Sequence, residues 1–249
     1  MLRLLVINPN TTTEITDKVA QAICALAPEH VEVHAFTGAF GPRYIASRAT
    51  FAIASHASLD VYARQYAGAH AVLLACFGDP GLDAIREVAS VPVIGLIEAS
   101  VAACAAYEGR YSIVTGGVLW PQMLTESLRA RGLDKNLASI CAVAPTGGQI
   151  ASDPEGALGV LADACLRAVK EDGAACVILG GAGLVGLAEK VQARIGYPVI
   201  CSVEAGAQAA FAAMATSPTK SEEAGKAPAI DSIGLSPALA DMIAGRSEH

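Results

Sequence analysis

Residues 71–106, AVLLACFGDPGLDAIREVASVPVIGLIEASVAACAA, decide the fold, because residues 175–212, ACVILGGAGLVGLAEKVQARIGYPVICSVEAGAQAAFA, repeat their order and chemistry. Each stretch reads as an apolar strand, a glycine turn, a helix, a Pro-Val-Ile strand, then Glu-Ala and an alanine-rich helix. Pro92 answers Pro198 and Glu98 answers Glu204. Extending the match backwards pairs the first strand and its turn, Asn8-Pro9-Asn10-Thr11-Thr12, with Tyr111–Thr115 and Gly116-Gly117. The period is about 106 residues, the mark of a duplicated structural unit. It predicts two similar lobes facing one another with a ligand cleft between them.

Short β-branched runs alternate with helical patterns along the chain. The strands expected are Leu4–Ile7, Val31–Ala35, Ala71–Cys76, Val93–Leu96, Tyr111–Thr115, Ile140–Val143, Cys176–Leu179 and Val199–Cys201. Strand and helix in alternation predict an α/β fold with parallel sheet. Counting such units leaves a closed eight-stranded barrel open as the alternative to two lobes. After Ala215 the chain turns polar, and Thr216–Pro228 reads as a surface excursion. A short helix follows, with Ser236 as N-cap, Pro237 at its first position and Gly245 past its end.

The composition agrees with this layout. Of 249 residues, 53% are hydrophobic and 16% charged, which excludes a disordered chain. The most apolar glycine-rich stretch, Gly173–Ala188, is 16 residues with five glycines, short of the ~20 a membrane-spanning helix needs. Fifty alanines suit helices lying close on sheets buried on both faces. A net charge of −7 offers no basic footprint, so neither nucleic acid nor an anionic membrane is an expected partner. The N-terminus enters a strand directly without a signal-peptide pattern, and a cytoplasmic setting is expected. Seven widely spaced cysteines without C-x-x-C indicate neither a disulfide framework nor a metal site.

Chemistry is expected where parallel strands end beside helix N-termini. Four turns qualify: Asn8–Thr12, Cys76–Gly81, Thr115–Gly117 and Gly180–Gly186. Thr11 and Glu14 form a T-x-x-E signature for a helix cap. Cys76 ends an apolar strand, and Asp79 as N-cap with Pro80 at the first helical position sets its thiol before a helix, where the dipole favours thiolate. The second-lobe turn carries G-x-G-x-x-G at Gly181, Gly183 and Gly186, with Glu204 about 20 residues on, so a dinucleotide-binding reading stands as a rival. His56 is the one histidine whose position lets it approach a strand-end thiol, and a Cys/His/Asp hydrolase has little support.

The stretches Ile7–Thr12, Leu74–Gly81, Pro92–Gly95 and Leu179–Gly183 together resemble the aspartate/glutamate/hydantoin racemase superfamily, nearest its hydantoin and allantoin racemase branch. The likeness runs from Leu2 to Ala213. It implies two flavodoxin-like lobes related by a pseudo-twofold, divided as 1–97 plus 206–249 and 98–205. It implies a cofactor-independent, homo-oligomeric isomerase that acts on a small carboxylate or cyclic imide. In such enzymes two cysteines, one per lobe, exchange a proton with opposite faces of a carbon acid. Cys76 matches the first, whereas the repeat sets Gly181 at the second. Four readings follow: racemisation with water or Cys201 on the second face, a single-thiol decarboxylase of the same superfamily, a different isomerisation, or a binding protein without turnover. The residues implied to hold substrate are Asn8, Asn10, Thr11, Thr12, Phe77, Gly78, Thr115, Gly116, Gly117, Gly180, Gly181 and Ala182.

Overall fold

The computed structural model describes residues 1–216 and 228–246. In chain order its first half is β1 (Leu2–Asn8), α1 (Thr13–Leu26), β2 (Val31–Thr37), α2 (Arg48–Gln65), β3 (Ala71–Leu74), α3 (Leu82–Val88), β4 (Val93–Gly95) and α4 (Leu96–Ala103). The second half is β5 (Arg110–Gly116), α5 (Trp120–Ala130), β6 (Leu137–Val143), α6 (Gly147–Ser152), α7 (Pro154–Lys170), β7 (Ala174–Gly180), α8 (Ala188–Ile195), β8 (Val199–Cys201) and α9 (Ser202–Thr216). A last helix, α10, spans Pro237–Ile243. Most of the excursion expected over 216–228 lies outside the described residues.

The strands form two separate four-stranded sheets, ordered β2-β1-β3-β4 and β6-β5-β7-β8, every pairing parallel. The barrel alternative is thereby excluded. β1 shows why both sheet faces are covered. Its alternate residues Leu4 and Val6 join one apolar cluster with Val19 and Ile23 of α1, while Leu5 and Ile7 join another with Val61 and Tyr62 of α2. A run apolar on both faces must be sandwiched between helices, since each buried aliphatic side chain contributes ~1.5–3 kcal/mol. Leu239 and Met242 of α10 belong to the second cluster, packed beside α2. Ser236 caps α10 by accepting from the Leu239 N–H at 3.3 Å, and Gly245 follows with φ +66°, as the sequence predicts.

The two halves exchange their final helices. α9 leaves β8 and lies against β3, β4 and α1, while α4 leaves β4 and touches β7 and β8; the two helices also pack on each other. No helix among the described residues is long and apolar enough to cross a membrane.

Candidate active site

Sheet register tests the repeat directly. Leu74 pairs with Ile7 and Gly95 in the first sheet, and Leu179 with Val114 and Cys201 in the second. Equating these ladders superposes Asn8 on Thr115, Gly95 on Cys201 and, two residues past the paired leucines, Cys76 on Gly181. The carboxyl ends of β3 and β7 face a common cavity of about 40 Å³ between the sheets. Cys76, Asn10, Phe77, Thr115, Gly180, Gly181 and Ala182 line it, so the structure brings together the expected thiol and six of the twelve expected binding residues.

Asn8, Thr11, Thr12, Gly78, Gly116 and Gly117 do not reach this cavity. Asn8 is fully buried, and its Nδ2 donates to Asn10 Oδ1 and Thr16 Oγ1 at 3.1 and 2.9 Å, so its amide orders the turn. That turn aims Asn10. Asn10 Oδ1 accepts from the Thr12 N–H at 2.8 Å, and Asn10 Nδ2 donates to no group among the described residues. The predicted Thr11 cap is corrected: Thr12 is the N-cap of α1 without a side-chain cap bond, because its hydroxyl donates instead to the Arg43 carbonyl at 2.7 Å.

Around Cys76 the chain turns sharply. The Asp79 N–H donates to the Cys76 carbonyl at 3.0 Å, with φ +137° at Gly78 and +55° at Asp79. Gly78 is required there, since a Cβ would lie 2.6 Å from the Trp120 ring. The expected Asp79 cap of the following helix is also corrected. α3 starts at Leu82 behind Gly81, and the Asp79 carboxylate reaches across to accept from the N–H groups of Leu96 and Ile97 at 2.7 and 3.1 Å, capping α4. Burial raises the Asp79 carboxyl to about 7, opposed by those two N–H groups and by Arg131. The thiolate expected from a helix dipole is not what this site favours. Burial pushes the Cys76 thiol well up, and the Asp79 charge adds to the shift.

On the opposite side Gly181 has φ +147°, a backbone that L side chains rarely adopt. Its N–H donates to Ser202 Oγ at 3.2 Å. Gly180–Gly186 leads into a 3-10 turn at Ala182–Leu184, and α8 begins only at Ala188, so the glycine motif does not open directly onto a helix N-terminus as a dinucleotide loop does. Among the described residues the N–H groups of Phe77, Ala182 and Gly183 have no acceptor. Cys201 ends β8, buried outside the cavity lining, with its thiol raised to about 11 by burial. His56 is exposed and packs edge-on against Phe40 at 4.8 Å, away from the cavity.

Sequence reasoning missed Tyr44, Trp120 and Gly147, all in the cavity wall. Tyr44 comes from the loop after β2 and crosses to the second sheet. Its hydroxyl donates to the Gly116 carbonyl at 2.9 Å, beside the backbone of Gly147 and the Trp120 indole. Burial raises its phenol above the ordinary range, so it stays neutral. Trp120 starts α5 just beyond the Thr115–Gly117 turn. Both aromatics lie past the carboxyl ends of strands, the positional signal that picked out the other turns.

The description Asp/Glu/Hydantoin racemase matches residues 4–210. The hydantoin racemase of Paenarthrobacter aurescens is 35% identical over 213 residues, covering 84% of this chain and 89% of that protein. The hydantoin racemase of Pseudomonas sp. (strain NS671) is 32% identical over 206 residues, covering 82% and 83%. Among solved structures, allantoin racemase from Klebsiella pneumoniae superposes with a TM-score of 0.86 at 29% identity, covering 94% of this chain and 97% of that one. With two parallel sheets facing a shared cavity and a match spanning both, the chain belongs to the Asp/Glu/hydantoin racemase family.

Proposed function

We propose that the protein interconverts the enantiomers of a 5-substituted hydantoin or a related cyclic imide by proton transfer at Cys76, without a cofactor. The observation that carries this reading is that Cys76 is the one cysteine, among the described residues, lining the cavity between the sheets. Starting from the Cys76 thiolate, the minor form in this buried site, removing the C5 proton breaks C–H, forms S–H and moves the electron pair onto the adjoining carbonyl as an enolate. Donors without other partners belong to residues that line the cavity: Asn10 Nδ2 and the N–H groups of Phe77, Ala182 and Gly183. Gly181 has no side chain to deliver a proton, so the opposite face is reprotonated by water. Hydroxide left behind is neutralised as Cys76 returns its proton to solvent.

A second reading is favoured by one feature, the strongly raised thiol. A neutral buried thiol suits proton delivery better than removal, as in a decarboxylase that protonates the enolate left by carbon dioxide. The test is proton NMR in deuterated water with 5-methylhydantoin, 5-benzylhydantoin, allantoin and an arylmalonate. Exchange at C5 is expected for a hydantoin, and Cys76→Ser is expected to slow it by about 10²-fold or more with the circular dichroism spectrum intact. Carbon dioxide release from the arylmalonate without hydantoin exchange selects the second reading. Binding with neither reaction selects a binding protein. Exchange undiminished in Cys76→Ser removes the thiol from the mechanism.

A further inference from the structure

The cavity of about 40 Å³ beside Cys76 borders a groove of about 530 Å³, and Ile15 and Tyr44 line both spaces. The groove runs between α1 of the first half and α6 of the second, with Arg43 and Tyr44 at its side. On the α6 side the Tyr44 ring divides the two: a Cβ at Gly147, in the cavity wall, would lie 3.0 Å from its Cε2, and one at Gly148, in the groove wall, 4.0 Å from its Cδ2. That ring is a side chain tied at its hydroxyl to the Gly116 carbonyl, so it can turn aside without moving either sheet. A second groove, of about 680 Å³ between α2, α3 and α5, is shut off by backbone instead, where the Phe77-Gly78 step packs on Trp120. The two grooves also differ in charge. In the larger one every guanidinium has a carboxylate, Arg48 with Glu126 and Arg131 with Asp83 and Glu98. In the groove beside Tyr44 neither cation has one among the described residues. The Lys18 ammonium donates to the Ala151 carbonyl, and the Arg43 guanidinium makes no hydrogen bond or ion pair, although the Arg43 carbonyl is pinned by the Thr12 hydroxyl at 2.7 Å. Glu14, the one acid in the lining, meets the Thr13 hydroxyl at 3.4 Å and neither cation.

From this juxtaposition we propose that small molecules reach Cys76 through the groove between α1 and α6, past Tyr44, and that Arg43 and Lys18 give preference to those that carry a carboxylate. On a chain of net charge −7, two cations without counter-ions at the mouth of a cleft set up a local positive field that concentrates small anions there. The substrate class this names is a hydantoin or related imide with an acidic substituent, and that part rests on the reaction proposed above. The route and the charge preference do not.

Two pairs of probes differ in charge at nearly equal size. Iodoacetate and iodoacetamide report access to Cys76 whatever reaction the protein catalyses, read by mass spectrometry of the Cys76 peptide, and hydantoin-5-acetate and its neutral amide report turnover. At low salt Arg43→Gln and Lys18→Gln are each expected to lower the ratio of Cys76 alkylation by iodoacetate to that by iodoacetamide by about threefold, and salt at about 0.3 M to erase most of the difference. Release of the Lys18 contact to Ala151 changes entry of both reagents alike and cancels in the ratio. Arg48→Gln makes the same charge change in the other groove and is expected to leave the ratio within about 1.5-fold. A ratio unmoved by both Arg43→Gln and Lys18→Gln, or lowered as much by Arg48→Gln, overturns the route and the preference. For turnover, kcat/KM for hydantoin-5-acetate is expected to exceed that for the amide by about tenfold, and the excess to shrink about threefold in Arg43→Gln. Equal values for acid and amide, with the alkylation ratio shifting as expected, overturn the substrate class and uphold the route. No C5 exchange on any hydantoin overturns the reaction and the substrate class together, and the alkylation ratios still decide the route.

Discussion

Cys76 and Asp79 sit three residues apart and are bound to each other's state. The carboxylate caps α4 from a buried position, so its charge is held by two N–H groups yet resisted by burial, and the balance leaves it at about 7. A carboxyl raised in the folded state contributes stability that is fully present below the ordinary carboxylate range and is lost as pH rises through about 7. Unfolding free energy is therefore expected to decline between about pH 4 and 7 by on the order of a few kcal/mol from this group. Asp79→Asn is expected to flatten that slope in urea titrations. The same substitution removes a negative charge near the thiol, so alkylation of Cys76 by iodoacetamide at pH 8 is expected to speed up. An unchanged slope and rate would show that Asp79 acts on neither. That Cys76 would lie at the carboxyl end of a strand could be read from the sequence, because it follows an apolar run. What the carboxylate caps could not: its partners lie 17 and 18 residues away, and the positive φ values at Gly78 and Asp79 carry it past its own helix. Gly181 teaches a related lesson. Its φ of +147° means that a thiol there demands a different loop path as well as a different side chain, at a cost of about 1–3 kcal/mol if the path is held.

All eight strands were legible: most are short apolar runs buried on both faces, and the half-buried edge strands β2 and β6 are short β-branched runs bounded by turn residues. Their ends were less so; β3 stops at Leu74, and Ala75 and Cys76 belong to the turn. The helix α6 went unread, although Thr146 and Gln149 form a capping box at its start, because Gly147-Gly148 reads as a loop. This omission hid a cavity residue, Gly147. Helix α10 was legible from its caps, and the structure adds its purpose. Leu239, 1% exposed, helps seal the α2 face of the first sheet. Leu239→Ala is expected to lower unfolding free energy by about 2–5 kcal/mol, read from urea midpoints. A loss below about 0.5 kcal/mol would mean that α10 rests on the sheet without stabilising it.

Because the cavity of about 40 Å³ is far below the ~300–1,000 Å³ of typical small-molecule sites, the halves are expected to part when substrate enters. Polar straps hold them together: Tyr44 to Gly116, Arg48 to Glu126, Arg131 to Asp83 and Glu98, and Lys18 to the Ala151 carbonyl. The exposed ion pairs are worth little individually, ~0.2–1 kcal/mol. Tyr44 is the uncharged strap, half-buried, and its hydroxyl bond to the Gly116 carbonyl joins the first half to the second. Tyr44→Phe, which costs about 1 kcal/mol of closure, is expected to raise the rate of tryptic cleavage after Arg43 about fivefold and to raise KM more than it lowers kcat. Unaltered cleavage would show that the loop opens independently of this hydroxyl.

The exchange of α4 and α9 bears on how such a molecule can be taken apart. Each half of the duplication ends in a helix that rests largely on the other half's elements, so neither half, cut free near Glu108, covers its own hydrophobic surface. Two such fragments are obligate complements. Mixed, they are expected to rebuild both sandwiches without a covalent link, which co-elution of the two fragments in size-exclusion chromatography would show. The architecture of the single chain is that of a pseudo-symmetric pair of units with traded helices, in which one of the two equivalent strand ends carries a thiol and the other a glycine turn.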